Sequence, residues 1–350
     1  MIRLCAGIVL GSLLITGGFA QTNQKLAQTS FQFLSVTSDA RAAAMGEATT
    51  SLQMGSSSMF FNPAGMAEMT GTVDVSASIN QYIADIKYNT FSVAVKPADG
   101  DYGVIGFSAQ FVDYGDFFGT TVSQDPNNPK GYDDTGIFKL NAMALGVGYA
   151  CRLTDQFSVG GQIRWARQDL GNSIVPNKNP QHPIYDSAGT NIIGYEDPTV
   201  VMSNKLTPLV FDFGTQYKTG FKSLVFGMSV RNYSNEVRYV YEGFQLPLVF
   251  SLGISMDVLD VLGRAGFDQS LNLSVDASHY RDHPEQVKIG LEYRLLGALT
   301  ILGGYTSGSD DRNGFSYGVG LSQYGFAFNY SYTPFGVFNK VQRITARFSL

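Results

Sequence analysis

From Thr72 to Leu350 the chain alternates apolar with polar or small residues, in segments of about ten residues separated by turn signals. Phe326, Phe328, Tyr330 and Tyr332 fall on one face of such a segment and Gly325, Ala327, Asn329 and Ser331 on the other, because successive strand side chains point to opposite faces. Fourteen such segments can be read. The first five centre on Val73 to Ile79, Phe91 to Val95, Ile105 to Phe111, Phe138 to Tyr149 and Phe157 to Trp165. Leu209 to Tyr217, Leu224 to Val230 and Leu248 to Met256 come next. The last six centre on Leu271 to Ala277, Val287 to Tyr293, Leu299 to Tyr305, Phe315 to Leu321, Phe326 to Tyr332 and Ile344 to Leu350.

The connections alternate in length. Pro97 to Asp101, Leu153 to Asp155, Lys218 to Gly220, Leu295 to Gly297 and Gln323 to Gly325 are tight, whereas Gly115 to Gly136 and Asp169 to Lys205 are long and rich in Asn, Pro, Asp and Gly. Short periplasmic turns and long outer loops are the habit of outer-membrane barrels. Val258 to Asp268 departs from it, being long on the short side. The prediction is an all-β fold: a fourteen-stranded antiparallel transmembrane β-barrel with a short N-terminal helical hatch in its lumen. An open sheet edge in lipid costs several kcal/mol for each unpaired group, so the last strand must close on the first. The even count places both termini on the periplasmic side.

Composition fits this picture. There are 24 basic and 29 acidic residues for a net charge of −5, with 15% charged residues, 13% aromatics and 39 glycines. No basic stripe for phosphate is present, so nucleic acid is excluded as a partner. Residues 1–20 read as a signal peptide: Arg3, the apolar run from Leu4 to Ile15, and Gly18-Phe19-Ala20 as a cleavage site before Gln21. Cys5 leaves with it and Cys151 remains alone, so no intrachain disulfide is expected.

Residues 21–71 do not alternate and are expected to form the hatch, ahead of the barrel at 72–350. Ser38 or Asp39 caps a turn through Ala40, Arg41 and the alanines to Met45, ended by Gly46; Asn62 caps a second helix with Pro63 at its first position and Gly71 past its end. Fourteen strands enclose more room than their own side chains fill. The lumen face inferred for them is polar and of mixed sign, with Arg164, Asp212, Lys218, Asp276, Lys288, Glu292, Arg294, Arg343 and Arg347. A lumen carboxylate such as Asp212 or Asp276 would suit Arg41 as a partner, and a solvated helix face is the equal alternative.

Three runs carry a resemblance: Gln32-Phe33-Leu34, then Asp39-Ala40-Arg41-Ala42-Ala43-Ala44-Met45-Gly46-Glu47-Ala48, then Phe61-Asn62-Pro63-Ala64-Gly65-Met66. They resemble the N-terminal signature of the PorV/PorQ family of outer-membrane proteins, relatives of FadL-type long-chain fatty acid channels. The resemblance implies a fourteen-stranded barrel with a hatch in the cell outer membrane. It further implies a role beside secreted proteins or other parts of a type IX secretion system. Asp39, Ala40, Arg41, Met45, Gly46, Asn62, Pro63, Ala64 and Gly65 are the candidate site residues it marks, and the bland reading of Asn62-Pro63-Ala64 is a helix start that fixes the hatch.

Catalytic chemistry is looked for without success. Asp276 and Ser278 share one strand face while His279 points to the other, so they do not converge as a triad. His279 and His283 flank a connection where helical ligand spacing is not realised, and no glycine-rich phosphate loop precedes a helix. No cofactor or metal is expected, and the chain reads as non-enzymatic. The leading reading is a docking or accessory component of protein secretion, with outer-membrane lipid around it. The competitor is a channel for hydrophobic small molecules, for which Gly103 and Gly106 in the third strand would permit a kink and a side opening.

Overall fold

The computed structural model describes residues 29–350 apart from 124–126, 178, 180, 197–198, 240–242, 264–267, 309–313 and 337–339. The expected signal peptide with Cys5, the expected new N-terminus at Gln21, and Pro180 and Pro198 of the second long connection lie outside the described residues.

Alternation becomes a single closed sheet. Its strands are β1 (Val73–Gln81), β2 (Lys87–Val95), β3 (Val104–Val122), β4 (Tyr132–Arg152), β5 (Phe157–Pro176), β6 (Leu209–Lys218) and β7 (Val225–Tyr233). β8 (Val249–Asp257), β9 (Gln269–Tyr280), β10 (Gln286–Leu295), β11 (Leu299–Thr306), β12 (Phe315–Gln323), β13 (Phe326–Pro334) and β14 (Lys340–Ser349) complete it. Each pairs antiparallel with its neighbours in sequence, and β1 meets β14 from Asp74↔Ser349 to Gln81↔Gln342, so fourteen strands close with no free edge around the wall. β6 is preceded by an outer arm, Thr199–Leu206, which pairs with the outer part of β5. Among the described residues no helix is long and apolar enough to cross a membrane.

The two faces separate as the period demands. Phe213, Leu252, Phe326 and Phe328 are exposed, with Phe211 and Phe250 on the same outer side, while Asp212, Asp276, Lys288, Glu292 and Arg343 are buried in the lumen. Charged side chains stay buried because chain fills the lumen: Thr29 to Thr70 runs through it, carrying a helix α1 (Ala40–Ala44) and 3₁₀ turns at Gln32–Ser35, Gly55–Phe60 and Pro63–Glu68. The second predicted helix is thus a 3₁₀ helix that stops at Met69, before Gly71.

Three expectations are corrected. The long connections are largely strand, since β3 runs on to Val122 and β4 starts at Tyr132, while β5 reaches Pro176. Turn-forming glycines inside them, such as Gly115 and Gly171, serve bulges rather than loops. Second, of the two ends of the described chain one sits among the short turns, the C-terminal end, where the Thr72 amide donates to the Leu350 carbonyl. Thr29 lies at the opposite mouth, bridging to Gln245 and donating to Asp282, both on long-side connections. An even strand count fixes where the barrel's own ends lie but says nothing of a segment that threads the lumen. Third, no side opening breaks the third strand: β3 pairs without interruption from Ile105↔Val95 to Asp113↔Lys87 and from Val104↔Ala150 to Asp113↔Asn141. Gly106 is there for space, because a Cβ would lie 2.6 Å from the sulfurs of both Met59 and Met66.

Candidate functional site

Asp39 stands at the N-terminus of α1 and its carboxylate accepts from the Ala42 amide at 2.9 Å. Ala40, Ala42, Ala43 and Ala44 are small because α1 is pressed on the wall; a Cβ on Gly318 would come 2.5 Å from the Ala44 methyl. Gly46 ends the turn at φ +61°, a conformation that favours glycine, and its backbone lies against Gly304.

Arg41 reaches Glu292 rather than Asp212 or Asp276. Its Nε donates to Oε2 at 2.5 Å and Nη2 to Oε1 at 3.1 Å, while Nη1 donates to the Gln53 carbonyl at 2.8 Å. Burial opposes a charged guanidinium, but the Glu292 carboxylate, with Asp39 behind it, prevails and raises the Arg41 pKa. Asp212 is engaged by Arg164 and Gln162, and Asp276 accepts from the Thr50 amide at 2.9 Å. Strand periodicity tells which face a carboxylate is on; its height and direction around the lumen depend on where the hatch lies.

Asn62 is fully engaged. Its Oδ1 accepts from the Ala64 amide at 3.1 Å, and its Nδ2 donates to the Thr50 and Thr215 carbonyls at 2.7 and 3.0 Å. Pro63 occupies the first helical position, where its missing N–H costs nothing. Gly65 leaves room for Ser58, whose Oγ would be 2.7 Å from a Cβ there, and Met45 is buried against β10. Lys288 adds an ion pair to Glu47 at 3.0 Å, and Arg343 donates to the Thr37 carbonyl at 2.8 Å.

Sequence reasoning missed a girdle of glycines. Gly160, Gly214, Gly227, Gly290, Gly304 and Gly318 face inward from six different strands, and each meets hatch atoms where its Cβ would be. At Gly160 those atoms are the Pro63 carbonyl carbon and Ala64 amide at 2.6 Å, and at Gly290 the Met45 carbonyl oxygen at 2.6 Å. The signal was legible as glycine recurring on the inward parity of successive strands, which marks close backbone approach.

The two mouths differ. On the short-turn side a polar cavity of about 410 Å³ is lined by Arg41, Arg294, Arg347, Ser255, Asn272 and Glu68 among others. Glu68 receives Ser158 Oγ at 2.5 Å, Lys218 Nζ, and Arg152 at 3.5 Å. Burial favours its neutral form, yet those hydrogen bonds and charges win and hold its pKa below the usual range. A depressed carboxylate contributes stability that is present above its unfolded pKa of about 4.3 and is lost as pH falls through the folded value. Amide exchange of residues 63–69 should therefore accelerate on acidification below about pH 4, and Glu68→Gln should flatten that dependence. On the outer side Phe31, Phe33 and Leu34 pack with Tyr88, Val112 and Leu246 in an apolar plug. Gln168 accepts from the Phe31 amide at 3.2 Å, and Asp282 takes Thr29 at 2.7 Å and Gln32. Burial opposes the Asp282 charge, but hydrogen bonds from His283, Thr29 and Gln32 outweigh it and lower its pKa.

His279 contacts Glu285 at 3.2 Å and His283 contacts Asp282 at 2.7 Å; among the described residues no group of three or more His, Cys, Asp or Glu could hold a metal. Asp276 and Ser278 are buried in the lumen whereas His279 is exposed outside.

Comparison with known proteins agrees with this arrangement. Solved structures similar in fold include the monoaromatic hydrocarbon channel CymD, at 11% identity and TM-score 0.54 over 90% of this chain and 98% of that one. The Pseudomonas putida toluene transporter TodX matches at 12% identity and TM-score 0.55 over 88% and 96%. A Pseudomonas aeruginosa FadL homologue matches at 14% identity and TM-score 0.51 over 90% and 98%. No curated protein matches the sequence. The family profile described as type IX secretion system protein PorV matches residues 19–259, a span that includes the hatch and the wall through β8. A closed barrel of this kind is an outer-membrane protein, and by that match the chain belongs to the PorV family.

Proposed function

We propose that this protein is a non-enzymatic docking component of protein secretion, presenting its outer ribbons to a secreted protein or to another part of the secretion machinery. The observation that carries the reading is the contrast between a filled lumen and a built outer surface. Hatch side chains and backbone are hydrogen-bonded to many strands, and the outer mouth is packed with Phe31, Phe33 and Leu34. Above the wall, β3, β4, β5 and the arm before β6 continue as ordered strands that expose Phe118, Ile137, Val122 and Val201. Exposed apolar side chains on strands that run on past the shared wall are what a protein partner buries. Membership of a secretion family supports the same reading.

The hydrocarbon channels of similar fold supply the competing one, transport of hydrophobic small molecules. Such a route needs an apolar path, and the apolar cluster at the outer mouth is occupied by the protein's own Phe31 and Phe33. The two readings part on one experiment. Removing the hairpin formed by Pro183–Tyr185 and Ile192–Tyr195 should abolish recovery of partners and display of cargo while leaving uptake of a long-chain fatty acid unchanged. Normal secretion in a null strain, with growth on a long-chain lipid lost, would overturn the docking reading.

A further inference from the structure

β4 and β5 pair from Arg152↔Ser158 up to Asn141↔Asp169 and then part. Above that point β4 pairs only with β3, from Asp116↔Lys139 to Val122↔Tyr132, and β5 pairs only with the arm before β6, from Asn172↔Ser203 to Pro176↔Thr199. The parting is built by the same device twice. A register shift falls after Asp113 in β3 and after Asp169 in β5, each with a glycine at positive φ, Gly115 at +78° and Gly171 at +73°. In both the aspartate carboxylate two residues back accepts from the glycine amide, at 3.0 and 3.1 Å. A bulge bends its strand and increases local twist, so two ribbons diverge from one wall.

Between them lies a notch whose sides are the unpaired strand edges of residues 132–140 and 172–176. An unpaired edge is a template for another strand, and this one is bordered by exposed Ile137 and Phe138. Its charge is one-sided. Among the described residues, 113–140 hold four acidic residues against two lysines, and 169–206 hold three against one lysine. Lys139 is matched to Asp116 at 3.3 Å and Lys130 lies over the Tyr132 ring, while Asp133, which accepts from the Asn128 side chain at 2.9 Å, and Asp134 are exposed along the β4 edge.

We infer that this notch is a binding site for an extended, lysine- or arginine-bearing segment of a partner protein, which adds as a strand against β4. Main-chain hydrogen bonds supply affinity, and because successive side chains point to opposite faces, Asp133 and Asp134 stand on opposite sides of the β4 edge, as do Ile137 and Phe138, so that each face offers the added strand one carboxylate and one apolar side chain. A second copy of this chain would bring the same acidic edge and meet like charge, as would an anionic lipid headgroup. The inference rests on the docking reading and names the chemistry of its partner.

The test uses the full-length barrel in nanodiscs and three synthetic ten-residue peptides: one alternating Val with Lys, one alternating Val with Glu, and the lysine peptide with alternate amides N-methylated. The lysine peptide should bind, as read by fluorescence anisotropy, and a photoreactive group on it should cross-link within 132–140. Replacing Lys with Glu or methylating the amides should weaken binding at least tenfold, and one of Asp133→Asn and Asp134→Asn, the one on the face of the lysines, should weaken it up to about fivefold. Equal binding of all three peptides, which would indicate plain apolar adsorption, overturns the inference, and so does no binding at all. If hairpin removal abolishes cargo display yet no peptide binds, the notch fails and docking stands. If peptides bind as expected but secretion survives that removal, docking through the hairpin fails while the notch stands.

Discussion

Replacing Glu292 with Ala should cost about 1–3 kcal/mol of hatch attachment, because the change removes the counter-charge of the Arg41 guanidinium, whose side chain is 16% exposed beside the polar cavity. Glu292 is fully buried and receives two hydrogen bonds from Arg41, so loss of the carboxylate strands a cation that also holds the Gln53 carbonyl. The expected readings are raised single-channel conductance and faster amide exchange in residues 40–46, with the barrel still heat-resistant, since its hydrogen-bond ladder belongs to residues 73–349. Replacing both partners, Arg41→Met with Glu292→Leu, should recover most of the loss, because a well-packed apolar pair avoids both desolvation penalties. If the single and double variants conduct alike, the pair does not hold the hatch.

Leu252→Arg should cost about 2–4 kcal/mol in a folding titration into lipid vesicles, the penalty of a cation on the lipid face near mid-membrane. Leu252 is 49% exposed and lies in the middle of β8, between Met228 and Ala277 on the neighbouring strands. Its neighbour Ser251 faces not lipid but the lumen, where it is buried and shares a hydrogen bond of 2.9 Å with Ser278. Ser251→Arg should therefore also destabilise, through crowding rather than through lipid. Deleting residues 29–71 tells the causes apart, since it should relieve Ser251→Arg and leave Leu252→Arg as costly as before. Relief of both, or of neither, would mean that the assigned faces are wrong.

Much of this protein is written in a local code. A strand has period two, so the alternation of Phe326 and Phe328 with Ala327 and Asn329 assigns outside and inside without reference to any other part of the chain. Alternating connection lengths then order the strands, and the requirement that no edge remain in lipid closes β14 on β1. Helix starts are equally local, because a cap bonds to an amide two or three residues away, as Asp39 and Asn62 do.

What the chain could not disclose is whatever depends on the hatch meeting the wall. The choice of Glu292 over Asp212 or Asp276 for Arg41 is a matter of height and azimuth within the lumen, set by contacts between residues some 251 positions apart. For the inward glycines, recurrence on the lumen face marks a close approach, but only the folded hatch shows that Pro63, Met45 and Ala44 are what approaches. Direction through the lumen is likewise tertiary: Thr29 is held at the outer mouth by Gln245 and Asp282, although strand parity alone placed both termini at the other. The outer ribbons follow the same rule from the other side. Asp113 and Asp169 each bond a glycine two residues on, a local turn signal, but only the pairing of β3, β4, β5 and the arm before β6 makes those turns bulges that part the wall into a notch. Periodicity and capping act over a few residues and are visible in the sequence, whereas which groups face each other across the lumen depends on long-range packing that no local pattern records.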